Sequence, residues 1–549
     1  MGFPRTPFTG ASEETRGGRE GASAQRATGS DQPNIVVILA DDMGFSDLGV
    51  YGSEIDTPNI DRLAENGLRF TQFYNTARCA PTRASLLTGL YPHEAGVGSI
   101  RVGSDLGVPG YRGFLRSDTA TIPEVMQSAG YRTMMCGKWH LGWRDEGAPT
   151  ERGFQRFYGT RGYVDSYFTV VPRTAVRLDG NVVISPTKDP VNHLHPQEDW
   201  YTTDVYTDYG LRFMDEALRH DSPFFLYMAY NAPHFPLHAK REDLEKYRGR
   251  YKKDGYVELR RRRYHRLVEM GIIEDQWALS PHDSPDWTSL TKRQQNELDL
   301  RMALYAGIVD SLDQNVGRLI DRLEEEGELE NTLILFLSDN GGSNEGGLFG
   351  LKADKNTVEN YEEWAQKGGW SSSYGQVWAN MSNTPFRLYK KHTHEGGVST
   401  PLIAHWPDRI KAQGELRRQP CHVVDLMTTC VDVVEGAEYP RVRDGEEIQP
   451  MRGKSLIPAF EDDGGGHERL YWEHEGNRAV RHGDWKLVAR HGEPWSLYDL
   501  AEDRPESNDR SRARPDLVKR LKSNYQQWAQ NAGVLPWEQA EKMYEENSN

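Results

Sequence analysis

The chain has 549 residues, a formal charge of −16 at pH 7 and a pI near 5.6. That length holds one large domain plus a smaller one, or two of ordinary size. The acidic balance argues against nucleic acid as the main partner and makes any local basic site informative. Four cysteines, at 79, 136, 421 and 430, exclude a disulfide scaffold. A bridge between Cys421 and Cys430 competes with a helix bearing one core thiol, and the segment fits the helix better.

Residues 1 to 33 are rich in Gly, Ser, Thr, Arg and Glu and contain no apolar run for a signal-peptide core or a membrane span. The composition is that of a disordered leader. The opening Met1-Gly2-Phe3-Pro4-Arg5-Thr6 formally fits a myristoylation pattern, but nothing else supports an anchor. No membrane partner is expected, and the expected location is the cytoplasm, with export left open by a displaced start.

Asn34 to Ala40 is a continuous apolar run with β-branched residues, as a strand buried on both faces of a parallel sheet should be. It ends in Asp41-Asp42, where open α/β sheets place their ligands; two adjacent carboxylates there mean either a bound cation or a solvated turn. Thr57-Pro58 starts a helix running to Gly67, and Phe70 to Tyr74 leads into the stretch Ala77 to Gly89. Pro81 fits the first position of a helix and Gly89 its left-handed end. Cys79 then falls just before the helix, where unpaired N–H groups and the positive end of the dipole converge, and Arg83 reaches back to the same point. The thiol is either a buried structural cysteine or the precursor of a nucleophile.

Thr121 to Ala129 reads as a capped helix stopped by Gly130, followed by the extended run Tyr131 to Cys136. In Gly137-Lys138-Trp139-His140, alternation puts Lys138 and His140 on one face, either in a pocket or at the surface. Between 143 and 222 only one helical stretch, near 204 to 219, stands out. Pro223 to Tyr230 is a third buried strand that delivers Asn231-Ala232-Pro233-His234, with His238 one step later. The strongly charged region 240 to 300 includes Arg260 to Arg263, expected to be a solvated helix face, with a rim that attracts anionic substrates as the minority reading.

From Leu300 to Glu326 the residues Leu304, Ile308, Leu312, Val316, Ile320 and Leu323 recur at helical spacing. Thr332 to Leu337 is a fourth buried strand, ending in Ser338-Asp339-Asn340-Gly341-Gly342. Asp41, Asp42, Asp339 and Asn340 form an all-oxygen set that suits calcium or magnesium and not zinc or copper. After a Trp- and Gly-rich insert near 345 to 383 come Lys390-Lys391-His392-Thr393-His394-Glu395-Gly396-Gly397, a strand over Val398 to Trp406 and a helix through Asp425 to Glu435. From about 446 the chain reads as short strands and turns, closed by an amphipathic helix from Leu517 to Asn531.

Cys79-x-Pro81-x-Arg83 followed by Leu87-Thr88-Gly89, together with Gly137-Lys138-Trp139-His140, Asp339-Asn340 and Lys390 with Glu395-Gly396-Gly397, resembles the type I sulfatases from residue 34 to the C-terminus. The resemblance implies an α/β, alkaline-phosphatase-like domain over 34–445, with a mixed, largely parallel sheet flanked by helices. It also implies a smaller C-terminal α+β subdomain over 446–549, an antiparallel sheet plus a helix. The implied activity is hydrolysis of sulfate monoesters to an alcohol or phenol and inorganic sulfate.

By the same resemblance Cys79 is converted by a maturation enzyme to formylglycine (3-oxoalanine), whose hydrate is the nucleophile. One divalent cation, Ca2+ in most members and Mg2+ as the alternative, would be held by Asp41, Asp42, the Cys79 derivative, Asp339 and Asn340. Arg83 would activate and aim the nucleophile, while Lys138, His234 and Lys390 bind the sulfate oxygens. His234 or Lys390 would protonate the leaving oxygen, and His140 would take the proton whose loss releases sulfate. Counting back from Glu395 selects Lys390, with Lys391 as the adjacent alternative. His238 is carried as a packing residue or a substrate contact at the rim; the C-terminal part is expected mainly to pack, with His474 or Arg478 as a further contact. The expected substrate is a small-molecule sulfate ester or sulfated sugar and not a polyanion, since the chain is acidic. Two rival readings are a phosphonate monoester or phosphodiester hydrolase built on the same parts, and an inactive sulfatase-like binding protein.

Overall fold

Strands Asn34–Ala40 and Thr332–Ser338 pair in parallel along their whole length, from Asn34 opposite Thr332 to Ala40 opposite Ser338. Every residue of both is buried, which is what uninterrupted apolar runs require when helices cover both faces of a sheet. The computed structural model describes residues 32–143, 147–170, 175–184, 200–220, 222–351, 372–443 and 445–547. The expected leader lies outside these residues except for its last two.

On the other side of Asn34–Ala40 lie, in order and all parallel, Phe224–Ala229, Arg132–Lys138 and Arg156–Thr160. An antiparallel hairpin, Val176–Leu178 and Asn181–Ile184, extends that edge. At the opposite edge Leu402–His405 runs antiparallel to both Thr332–Ser338 and Leu68–Phe70, and Glu415–Arg417 pairs in parallel with the latter. The result is a ten-stranded, mixed, largely parallel sheet, the architecture expected.

Alternation divides the core. Val36 and Ile38 face a cluster that includes Leu304, Ile308, Leu312 and Val316 of helix Lys292–Glu325. Ile35, Val37 and Leu39 face one that includes Leu86, Leu87 and Met427. The long helix starts at Lys292, earlier than its apolar period indicates. Its first turns are polar, and Thr291 and Gln294 cap each other's backbone N–H groups there.

The basic run corrects an expectation. Arg260 to Arg263 lie on helix Arg250–Glu269, bent at Gly255, where φ is 68°. Arg261 and Arg262 are exposed and pair with Glu258 and Asp254. Arg260 and Arg263, three residues apart and so on one face, are buried. Arg263 is paired with Asp47 at 2.6 Å and Glu54 at 2.8 Å, while Arg260 donates to the carbonyls of Ser280 and Asn380.

Strands Arg469–His474, Asn477–His482, Trp485–Ala489 and Ser496–Asp499 form an antiparallel sheet in chain order. One face packs against Leu517, Leu521 and Tyr525 of helix Pro515–Ala532. The other packs on Tyr74, Ala77 and Val398 beside the cysteine stretch. From Gln32 onward the chain is one compact unit. A last helix, Trp537–Asn547, absent from the sequence reading, returns to pack on Leu106 and Tyr111. All four cysteines are free and buried, Cys421 on a short strand and Cys430 on helix Asp425–Val433. Among the described residues no helix is long and apolar enough to cross a membrane.

Candidate active site

Four parallel strands open at the same sheet edge, and each hands over charged or polar residues there. Asn34–Ala40 leads to Asp41 and Asp42, Thr332–Ser338 to Asp339 and Asn340, Arg132–Lys138 to Lys138 and His140, and Phe224–Ala229 to Asn231 and His234. Helix Cys79–Thr88 points its N-terminus into the same place. Cys79 is the first helical residue and Pro81 the third, so the helix starts two residues earlier than expected, and Gly89 closes it at φ 69°. The Lys390 segment is brought up by glycine: a Cβ on Gly341 would lie 1.9 Å from the Gly396 carbonyl. Gly341 N–H instead donates to Gly397 O, and Lys390 N–H to Gly342 O.

The charges interlock. Arg83 donates from Nη1 to Lys138 O at 2.8 Å and from Nη2 to Asp41 Oδ2 at 3.2 Å and Asp339 Oδ2 at 3.1 Å. Lys138 Nζ donates to Asp41 Oδ2 at 2.6 Å. Lys390 Nζ donates to Asp42 Oδ2 at 2.8 Å and lies 3.4 Å from His234 Nε2. His234 Nδ1 meets Phe235 O at 2.5 Å, so Nδ1 carries the proton and Nε2 is left to accept from Lys390. Asn340 Nδ2 donates to Asp42 Oδ1 at 2.7 Å. Asp42 and His140 both hold left-handed backbone, at φ 69° and 58°, the kind of strain that folds keep at functional sites.

Burial and mutual charge tune these groups. Burial alone would raise Asp41, but Lys138, His234, Arg83 and Lys390 around it hold it well below the usual carboxylate range. Burial and the neighbouring Asp41 push Asp339 up to about 8. Burial works against charge on Lys390, yet Asp42 and Glu345 hold its ammonium well above the ordinary lysine value. Burial lowers His140 strongly and His234 as well, so both imidazoles are neutral near pH 7. Burial raises the Cys79 thiol in spite of Lys138 and Lys390, and a protonated thiol is a poor nucleophile.

The donor set fits a hard divalent cation. Ligand atoms of Asp41, Cys79 and Asp339 lie within 4.8 Å of one another, as do those of Asp41, Asp42 and His234. Asp41 Oδ1 and Asn340 Oδ1 are buried with no hydrogen-bond partner among the described residues. Carboxylate and amide oxygens so arranged suit calcium or magnesium.

The structure thus brings together Asp41, Asp42, Cys79, Arg83, Lys138, His140, His234, Asp339, Asn340 and Lys390. Lys391 does not join them: its backbone is left-handed at φ 81° and its side chain is half-buried beside Arg78, Glu345 and Glu475. His238 is not at a rim. It is fully buried against Phe168, with Nδ1 3.4 Å from Ser166 Oγ and Tyr167 N, and burial pushes it down to about 3. Arg478 donates to the carbonyls of Gly476, Arg490 and Glu493 and stacks on Trp495, so it serves the C-terminal sheet. His474 is fully buried, 3.8 Å from Glu475.

Sequence reading missed two residues near the site. Arg78, the helix cap, pairs at 2.8 Å with Glu345, which itself lies 3.6 Å from Lys390 Nζ. A lone charge in the Asn75-Thr76-Ala77-Arg78 run was the available signal for Arg78; Glu345 sits in a Gly-rich insert that carries none. Glu395 is a structural anchor, bonded to Tyr74 OH, Lys486 and Arg504 at 2.8 to 2.9 Å, all buried.

Comparison with known proteins agrees with this arrangement. The family model described as Sulfatase matches residues 33–437. An uncharacterized sulfatase of Schizosaccharomyces pombe is 33% identical over 535 residues, covering 92% of this chain and 95% of that protein. An arylsulfatase of Klebsiella aerogenes is 33% identical over 450 residues, covering 79% and 93%. The crystal structure of Ps i-CgsB in complex with k-i-k-neocarrahexaose is 26% identical with a TM-score of 0.67, covering 94% of this chain and 98% of that one.

Proposed function

The chain belongs to the sulfatase family and is a sulfuric ester hydrolase, and from that premise we propose that it acts through a Cys79-derived formylglycine and one divalent cation, Ca2+ in preference to Mg2+. Asp41, Asp42, Asp339 and Asn340 would hold the cation, together with the converted Cys79. The hydrated aldehyde supplies an attacking hydroxyl, and a cation bound there would supply positive charge that makes this hydroxyl more acidic. A maturation enzyme installs the aldehyde.

The observation that carries this reading is the convergence of Arg83, Lys138, Lys390 and His234 on the Cys79 helix end. Lys138 and Lys390 bind non-bridging sulfate oxygens, His234 joins them once its Nε2 has taken a proton from Lys390, and their fixed positions stabilise transition-state charge without reorganisation. Arg83, tied to Lys138 O and to two carboxylates, aims the nucleophile. Since Lys390 is the charged member of the Lys390–His234 pair, the proton that reaches the leaving oxygen starts on Lys390, directly or through His234 Nε2. His140 is neutral, and its Nδ1 is buried without a partner among the described residues. It takes the proton whose loss frees sulfate and restores the aldehyde.

The substrate is a small sulfate ester, aryl or sugar. An arylsulfatase relative and a solved relative holding a neocarrahexaose support both leaving-group types. The burial of Arg260 and Arg263 supports small size, because half of the basic run is unavailable to a polyanion. The test is turnover of 4-nitrophenyl sulfate beside an aryl phosphonate monoester. Preference for the sulfate supports the reading; preference for the phosphonate, or no turnover of either, overturns it.

A further inference from the structure

Arg78 stands next to Cys79 with its side chain nine-tenths buried. Nη2 donates to Glu345 at 2.8 Å, yet Nε and Nη1 are buried with no acceptor among the described residues. A guanidinium left with unsatisfied buried N–H groups costs stability for each one, and a fold that keeps one beside its nucleophile is holding donors for a ligand. The surroundings place Arg78 beside the site. Arg78 interacts electrostatically with Cys79, Asp42, Glu345 and Glu475, and both Lys390 and Lys391 feel its charge. Glu345 ties it to the site by lying 3.6 Å from Lys390 Nζ. Glu475 comes from the turn between strands Arg469–His474 and Asn477–His482, at φ 48°, so the C-terminal sheet supplies one wall.

We propose, building on the sulfatase reading above, that Arg78 is a specificity residue whose Nε and Nη1 bind a neutral hydroxyl oxygen next to the ester-bearing carbon of a sulfated sugar. The sulfate itself is already provided for by Lys138, Lys390 and His234. The sign of the ligand group follows from the charges that surround it. Arg78 and Lys391 are balanced by Glu345 and Glu475, so a second sulfate or a carboxylate meets as much repulsion as attraction. A hydroxyl accepts from the guanidinium and brings no charge.

The experiment is a cycle between substrate and enzyme. A hexose 3-sulfate, its 4-deoxy analogue and its 3,4-disulfate are assayed with wild-type enzyme and with Arg78→Met and Arg78→Lys. Rates are normalised to the fraction of position 79 found as aldehyde by mass spectrometry, so that impaired maturation is not mistaken for impaired binding. The wild type should favour the hydroxyl-bearing monosulfate over the deoxy analogue by about ten- to a hundredfold in kcat/KM. Arg78→Met should bring that ratio to within about twofold, and Arg78→Lys should restore part of it. Wild-type indifference to the hydroxyl, or an unchanged ratio in Arg78→Met, overturns the proposal, as does a gain of about tenfold or more on the disulfate. The first of these needs no variant, so a failure of Arg78→Met to fold does not protect the idea. Loss of the sulfatase reading itself would appear separately, as absent turnover of 4-nitrophenyl sulfate by the wild type.

Discussion

Lys138 Nζ lies 2.6 Å from Asp41 Oδ2, and neither side chain has any exposed surface. Breaking such a pair by removing Lys138 leaves Asp41 held by Arg83 at 3.2 Å, so the loss falls short of the about 3 to 5 kcal/mol of a fully stranded buried charge. Lys138→Met should lose about 1.5 to 3 kcal/mol, the worth of one charged hydrogen bond, by urea or guanidinium unfolding. The double variant Asp41→Asn, Lys138→Met should lose much less than the sum of the singles, because the two groups are coupled. Additive losses would mean that the pair does not act as a unit.

Chelation should destabilise as well as inactivate. With three carboxylates at one sheet edge and Asp339 driven up to about 8 by burial and Asp41, a bound cation relieves repulsion that otherwise has to be met by protonation. Saturation at a hundredfold over Kd is worth about 2.7 kcal/mol, enough to move the melting temperature of a chain this long by about 2 to 3 degrees. Dialysis against EDTA should lower Tm and abolish turnover, and calcium should restore both. An active protein free of divalent metal by elemental analysis would contradict the assignment.

Arg261 and Arg263 separate what the sequence shows as one run. Arg263→Gln strands Asp47 and Glu54 in the interior and should cost about 3 to 5 kcal/mol. Arg261→Gln with Arg262→Gln removes only exposed pairs and should stay within about 1 kcal/mol. Denaturant midpoints measure both. Equal effects would mean that the helix presents its arginines evenly.

That run shows where sequence reading reaches its limit. Four consecutive arginines read as a solvated face because charge alone does not reveal which of them finds partners; Asp47 and Glu54 lie more than two hundred residues away. The site acids were legible because each ends a strand whose apolar run is unmistakable, and such strands place their C-terminal residues at a common edge. His140 was legible by motif but not by geometry: alternation assumes extended backbone, and the residue sits at φ 58°. The hairpin at Val176–Leu178 and helix Trp537–Asn547 were missed because edge strands and surface helices carry weak periodicity. Arg78 and Glu345 were missed because they work as a pair formed across 267 residues.

Acid should unfold the protein through its buried histidines. Burial pushes His238 down to about 3, and His405 and His474 to about 4, from an ordinary 6.5. Below pH 6.5 the unfolded chain binds protons that the folded chain refuses, so stability falls with pH, down to about 4 for His405 and His474 and to about 3 for His238. His238→Gln should flatten the slope of unfolding free energy against pH by up to about 1.4 kcal/mol per pH unit between pH 6 and 4. An unchanged slope would mean that His238 is protonated in the folded state. The slope, not the stability at one pH, is the readout, since the variant also alters the contacts to Ser166 and Tyr167.

Everything in the mechanism turns on what Cys79 has become. Its thiol is buried and raised, and so is unfit to attack sulfur as a thiolate, yet it stands where Lys138, Lys390 and Arg83 converge. The direct measurement is a mass spectrum of the Cys79 peptide from enzyme preparations of different specific activity on 4-nitrophenyl sulfate. The peptide should be found with its sulfur replaced by an aldehyde oxygen, in a fraction that rises in proportion to the activity. Full activity in protein whose Cys79 is entirely thiol would contradict the mechanism.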